Sequence, residues 1–183
     1  MMEMKTRGPK DLQRFLDLLF KPEDGWIELR ALPGKSRQFV RPGDVNGIQD
    51  FVDRNKDQNL YFGVAARKNR SNGRFENCNT LRCFFVDLDF KDFASPAAAR
   101  RQLDQFPLQP SLIVETGGGL HAYWLLERAL DLHHPGSGVK ESLRRLAIAV
   151  GGDLSAAEPA RILRLPGSLN HKYDPPREVL LVD

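Results

Sequence analysis

Cysteine is nearly missing from this chain: Cys78 and Cys83 are the only two in 183 residues. Two thiols are too few for a disulfide framework or a zinc knuckle, so a reducing, cytoplasmic setting is the plain expectation. No apolar run approaches the roughly 20 residues of a membrane span, which argues against a membrane partner. Met1-Met2-Glu3-Met4-Lys5 lacks the apolar core of a signal peptide. There is no internal repeat and no linker that splits the chain, so 1–183 reads as a single domain, long enough for a proper core. Nor is there a large excess of one charge. The formal net charge is +3, with 28% charged and 41% hydrophobic residues. That mildly basic balance permits a polyanionic partner without requiring one.

What is present alternates between two periodicities. Pro9 to Phe20 has Leu12, Phe15, Leu16, Leu19 and Phe20 at helical spacing, with a proline suited to a first turn. Trp26 to Leu32 alternates as a strand, with Glu28 and Arg30 on one face, and Gln38 to Arg41 continues as a second. Asp44 suits the cap of a helix over Val45 to Asn55, and Leu60 to Ala65 is a third strand. Arg67 to Arg74 is a polar loop with four basic residues. It reads either as a solvated turn or as a phosphate-backbone contact. Ser95-Pro96 opens a helix to about Phe106. Ser111 to Glu115 and Leu120 to Leu126 form a hairpin around Thr116-Gly117-Gly118-Gly119. His133-His134 falls in a loop and faces water rather than a metal. Val139 to Val150 is a helix stopped by Gly151-Gly152. Arg177 to Asp183 looks like a strand cut off without a tail, as in a piece of a longer polypeptide. Strands and helices mix without regular βαβ alternation, which favours an α+β fold.

The central stretch is Phe84-Phe85-Val86-Asp87-Leu88-Asp89-Phe90. A buried strand accounts for its apolar residues but not for its carboxylates, which are rarely buried unless paired or metal-bound. Residues i and i+2 share a face, so Asp87 and Asp89 project side by side, roughly 6–7 Å apart at the backbone. Two carboxylates at that spacing can share divalent cations; the alternative is a strand end where both simply reach water. Two other stretches are unusual. The glycine turn before His121 offers unshielded backbone N–H groups for phosphate, or merely makes a tight hairpin. Arg161, Arg164, Asn170 and Lys172, following Asp153, suggest a polyphosphate clamp, or else a basic surface loop. Together these features match metal-dependent nucleotidyl transfer.

In this order the motifs resemble the archaeo-eukaryotic primase superfamily, in its phage and plasmid primase–polymerase type. The matching features are Asp87-Leu88-Asp89, Gly119-Leu120-His121, the single Asp153, and Arg161-Ile162-Leu163-Arg164-Leu165-Pro166-Gly167-Ser168-Leu169-Asn170-His171-Lys172. The resemblance implies an RRM-like antiparallel or mixed sheet with flanking helices plus a small N-terminal α/β layer. It implies a DNA primase or DNA polymerase, a nucleotidyltransferase that synthesises or extends primers on single-stranded DNA from NTPs or dNTPs. Two divalent cations, Mg²⁺ or Mn²⁺, would be held by Asp87, Asp89 and Asp153. Gly119, His121, Arg161, Arg164, Asn170 and Lys172 would bind the nucleotide, and a replicative helicase, fused or separate, is a partner to expect. The small residue before His121 is glycine where the superfamily often has serine, so a hydroxyl contact to phosphate is missing. The rival readings are a non-catalytic RRM-like nucleic-acid-binding domain and another Asp-x-Asp metal-dependent transferase. The first would place aromatics where these strands carry acids. The second leaves Asp153 and the Arg161 to Lys172 series without a shared role.

Overall fold

The alternating segments become two four-stranded sheets in the computed structural model, which describes residues 9–182. In chain order the elements are α1 (Pro9–Leu19), β1 (Ile27–Leu32), β2 (Ser36–Val40), α2 (Val45–Arg54), β3 (Asn59–Gly63), β4 (Thr80–Asp89) and α3 (Pro96–Asp104). There follow β5 (Leu112–Glu115), β6 (Gly119–Asp131), α4 (Val139–Val150), β7 (Ile162–Arg164), β8 (Leu169–Asn170), β9 (Arg177–Glu178) and β10 (Leu180–Leu181). The first sheet runs β2-β1-β3-β7 and the second β10-β5-β6-β4, while β8 and β9 pair by themselves. Every strand pair is antiparallel. The α+β expectation therefore holds, in its antiparallel form.

Local chemistry sets the helix starts. Asp44 accepts a hydrogen bond from the Gly47 amide at 2.9 Å, and Ser95 accepts one from Ala98 at 3.1 Å. Phe15 of α1 lies between the sheets. Its ring meets Phe62 of β3 and Tyr123 of β6 edge-on, each at 5.4 Å between centroids. Fully burying an aromatic of this size contributes about 1.5–3 kcal/mol. The face of the second sheet that carries Phe85, Asp87, His121 and Tyr123 therefore looks toward the first sheet. Its opposite face packs against α3 and α4, with Phe106 edge-on to Trp124 at 5.9 Å.

Two segments differ from the sequence reading. The basic loop does not begin at the surface: Arg67 is fully buried and carries isolated β-bridges to Trp26 and Cys78. A guanidinium can enter a core when a carboxylate waits there, and buried Glu28 supplies it. The terminal strand is split: Arg177–Glu178 pairs with β8, whereas Leu180–Leu181 pairs with β5. The chain changes sheets at Val179, whose amide bonds the Ser168 carbonyl while its own carbonyl accepts from Gly167. Asp183 lies outside the described residues.

Cys78 and Cys83 are both buried, and burial pushes both thiols above their ordinary pKa. Because the thiolate is the reactive form, the native protein is expected to show no titratable thiol at pH 8 within minutes. Both should appear on unfolding in guanidinium, measured with a chromogenic disulfide reagent. Rapid modification of folded protein would contradict this burial.

Candidate active site

Pairing of β4 with β6 sets Asp87 opposite His121 and Asp89 opposite Gly119. The His121 Nε2 is 3.6 Å from the Asp87 Oδ1, too long for a hydrogen bond but close enough for charge to matter. Burial pushes the imidazole pKa below its usual value. Asp87 pulls it up, and Arg164 and Arg161 push it further down. His121 is therefore held neutral beside a carboxylate with two guanidinium groups in range. Its Nδ1 is buried without a hydrogen-bond partner, and so is the Arg161 Nε. Buried polar atoms are normally satisfied; these two are not, and neither is the Tyr123 hydroxyl on the same face.

The third aspartate arrives through a close packing contact. Gly152 sits where a Cβ would strike the Val86 side chain, and this lets the Asp153 amide donate to the Asp87 carbonyl at 2.8 Å. Asp153 thus lies beside Asp87 although 66 positions later in the chain. Its carboxylate accepts from the Ser155 amide and hydroxyl, both at 2.8 Å. Asp89 accepts from the Lys91 amide at 3.1 Å and pairs with the Lys91 ammonium at 2.8 Å. Lys91 holds the Asp89 carboxyl below the ordinary range, with a smaller contribution from Lys172. The three backbones converge, but the Asp89 and Asp153 side chains are turned to local partners. Among the described residues no three His, Cys, Asp or Glu side chains are grouped so as to hold a metal ion.

The proposed clamp residues separate into two kinds. Arg164 is buried, and burial lowers its pKa. Tyr61 and Asp87 raise it, and its Nη1 donates to Asn59 at 2.8 Å. Arg161, with its unpaired Nε, and exposed Lys172 also point their charge at this region. Asn170, by contrast, is committed internally: its amide donates to the Thr116 carbonyl at 2.7 Å and its oxygen accepts from the Lys172 amide at 3.2 Å. Asn170 fastens the glycine turn to the Lys172 segment. That turn is not bare either. Arg177 donates to the Gly117 carbonyl at 2.6 Å and stacks on Tyr173. Gly119 lies against β4 so tightly that a Cβ would collide with the Leu88 carbonyl. His133 bonds the Cys78 carbonyl at 2.7 Å, away from this site.

Sequence reading missed Lys91, Ser155, Asn59 and Tyr61. Lys91 and Ser155 each lie two residues from a candidate aspartate, so a search for local caps would have found them. Asn59 and Tyr61 meet Arg164 across more than a hundred residues and leave no such signal.

Gly152→Ala is expected to press on Val86 and lift Asp153 from the Asp87 carbonyl. Overpacking of this kind costs about 1–3 kcal/mol, so Tm should fall by roughly 3–10 °C in a thermal melt. An unchanged Tm would show that this contact is not tight.

A family model described as the RepB DNA-primase N-terminal domain matches residues 66–179. A replication protein of Clostridium perfringens is 24% identical over 172 residues, covering 87% of this chain and 40% of that protein. The chain therefore spans less than half the length of that relative. Among solved structures, the AEP domain of the cyanophage S-2L primase–polymerase is similar with a TM-score of 0.70 at 20% identity, covering 96% of this chain and 90% of the other. The catalytic domain of primase RepB′, solved in complex with initiator DNA, is similar with a TM-score of 0.60 at 20% identity, covering 96% and 82%. At such identities the structural likeness establishes the fold, that of the archaeo-eukaryotic primase domains. The match over residues 66–179 establishes the family: this chain belongs to the RepB DNA-primase N-terminal domain family.

Proposed function

We propose that this chain is the catalytic domain of a DNA primase–polymerase, joining nucleoside triphosphates on a single-stranded DNA template. The observation that carries the reading is the meeting of two unfilled chemistries. The backbones of Asp87, Asp89 and Asp153 converge on one side, and the unpaired His121 Nδ1 and Arg161 Nε, potential donors, belong to residues in electrostatic reach of each other, His121 also of Asp87. One side of the cleft suits cations and the other suits phosphate oxygens. A metal-bound triphosphate has both.

The donor set fits Mg²⁺ or Mn²⁺, since hard divalent ions take carboxylate oxygens. The Lys91 ammonium, 2.8 Å from the Asp89 carboxylate, supports a reading in which positive charge is favoured here: Asp89 raises its pKa most, with Asp92 and Asp153 contributing. When bound, the cations would activate the attacking hydroxyl and neutralise the leaving pyrophosphate. Asp87, Asp89 and Asp153 would hold them, with Asp89 and Asp153 first releasing Lys91 and Ser155. Neutral His121 donates to a phosphate oxygen while leaving the Asp87 charge intact. Arg161 and Arg164 then stabilise the negative charge that builds on the triphosphate. Lys172, at the rim, contributes a point charge. Gly119 sets the spacing of β4 and β6, which puts His121 at its post.

The test is incubation of the purified chain with single-stranded DNA, Mg²⁺ or Mn²⁺ and labelled triphosphates, with and without a primer. Template-dependent product is the expected result, and no incorporation with either metal would sink the reading. The two primer conditions separate starting a chain from extending one.

A further inference from the structure

The first sheet has a face of which the proposed active site uses only Arg164, at one end. Its inner face, with Leu29, Leu60, Phe62 and Leu163, is buried in the core. The helices of this layer lie on that inner side: Phe15 of α1 meets Phe62, and the Gln38 amide of β2 reaches the Gly47 carbonyl of α2. The outer face follows from the pairing register. Arg37 of β2 stands opposite Arg30 of β1, Arg30 opposite Tyr61 of β3, and Tyr61 opposite Arg164 of β7. Four strands thus present one straight row, Arg37–Arg30–Tyr61–Arg164. At 4.7–4.9 Å per strand it is about 14 Å long.

The row is cationic along its whole length. The only acid at an outward position of these four strands is Glu28, whose carboxylate is buried and held by Arg67 at 2.8 Å and by Arg37 at 3.1 Å. Arg37 is exposed, Arg30 and Tyr61 are half-buried, and Arg164 is buried. The row ends at Arg164, whose guanidinium lies over the Tyr61 ring and within electrostatic reach of Asp87. The flank repeats the composition: Trp26, on the same face, lies between Arg41 at 4.1 Å and Arg70 at 5.1 Å. Arginines interleaved with aromatics on a sheet face suit an unstacked nucleic-acid strand, with its phosphates on the cations and its bases on the rings. Regular duplex keeps its bases inside and would use only the charges. Arg37, Arg30 and Tyr61 also precede residue 66, where the family match begins.

We infer that the Arg37–Arg30–Tyr61–Arg164 row is a track that binds single-stranded DNA and leads it to Asp87 and His121. Naming that strand as the template rests on the proposed function; its binding needs neither metal nor triphosphate.

The test uses the whole chain and a fluorescein-labelled oligothymidylate, read by anisotropy in EDTA over a range of salt. Arg30→Gln and Arg37→Gln are each expected to weaken binding about threefold to tenfold and to lower the salt slope by about 0.7. Tyr61→Leu should weaken it roughly tenfold. Arg128→Gln removes the same charge from an exposed position on the second sheet and should leave affinity unchanged. Arg37 touches buried Glu28, so a measurement without substitution accompanies the variants. In the unaltered protein, phenylglyoxal modification of Arg30 and Arg37, mapped by mass spectrometry, should be suppressed by the oligothymidylate.

Unchanged affinity and slope in both arginine variants would overturn the track. So would equal weakening by Arg128→Gln, unprotected arginines, or duplex DNA bound as tightly as the single strand. Protection and slopes as expected, in a protein that makes no product, would overturn the enzymatic reading alone.

Discussion

Asp87→Asn should abolish templated synthesis, by roughly a thousandfold or more, while leaving the fold in place. The size follows from the work assigned to the residue. Charge stabilisation by a bound divalent ion is worth several kcal/mol in the transition state, and each 1.36 kcal/mol is a factor of ten in rate. Asparagine keeps the shape and one oxygen but gives up the negative charge. The fold should survive because Asp87 serves it through its backbone: its carbonyl accepts the Asp153 amide, and its strand pairs with His121. Its side chain is 24% exposed and bears no structural hydrogen bond of its own among those described. Asp153→Asn is the companion variant. Its remaining oxygen can still accept from the Ser155 amide, so the local turn should hold while activity falls. Steady-state incorporation and a thermal melt decide the matter together. Both variants retaining activity within tenfold of the parent, at unchanged Tm, would remove the carboxylates from the chemistry.

How far the site could be read without coordinates depends on the range of each contact. Asp87 and Asp89 share a face by strand alternation alone, and the apolar residues between them already pointed to a buried strand. The glycine turn made Leu112–Glu115 and Gly119–Asp131 a hairpin, a local event with local signals. Placing His121 opposite Asp87 needed one thing more, the pairing of β4 with β6, which no periodicity specifies. Asp153 was identified by resemblance, yet its seat depends on Gly152 fitting against Val86, a packing detail. Asn170 belongs with the cations by its place in the Arg161 to Lys172 series and by resemblance, whereas its bonds to the Thr116 carbonyl and the Lys172 amide depend on the fold. The outward row of arginines is the extreme case. Glu28 and Arg30 were recognisably on one face of a strand, but that Arg30 lies between Arg37 and Tyr61 is a matter of register across three strands. Composition also misjudged Arg67. Four basic residues in a polar loop look alike in sequence, and only the position of Glu28, 39 residues earlier, separates the one that is buried.

Arg67 carries the largest expected effect on stability. Its guanidinium donates to Glu28 through Nε at 3.0 Å and Nη2 at 2.8 Å, and through Nη1 to the Ala65 carbonyl at 3.0 Å and the Cys78 sulfur at 2.8 Å. Both partners of the ion pair have fully buried side chains. Arg67→Met would leave the Glu28 carboxylate in the core with Arg37 alone beside it, at 3.1 Å. Breaking a buried pair from one side costs about 3–5 kcal/mol, far more than the pair adds relative to an apolar replacement. Tm should therefore fall by roughly 6–20 °C. Glu28→Leu combined with Arg67→Met removes both charges, and the double variant should recover much of the loss. Arg67→Lys should not recover it, because an ammonium lacks the planar fork that reaches the carboxylate, a carbonyl and the sulfur at once. The pair also bears on the cleft: Arg67 Nη2 lies 3.4 Å from the Ala160 carbonyl, and the Val64 amide donates to the Arg161 carbonyl at 3.0 Å. The chain entering Arg161 is thus anchored to the same buried charge. Triphosphate binding by Arg67→Met, measured below its Tm, should weaken along with stability, and the double variant should restore stability ahead of binding. Single and double variants with equal Tm would mean that the buried carboxylate finds another partner and that Arg67 is not what holds it.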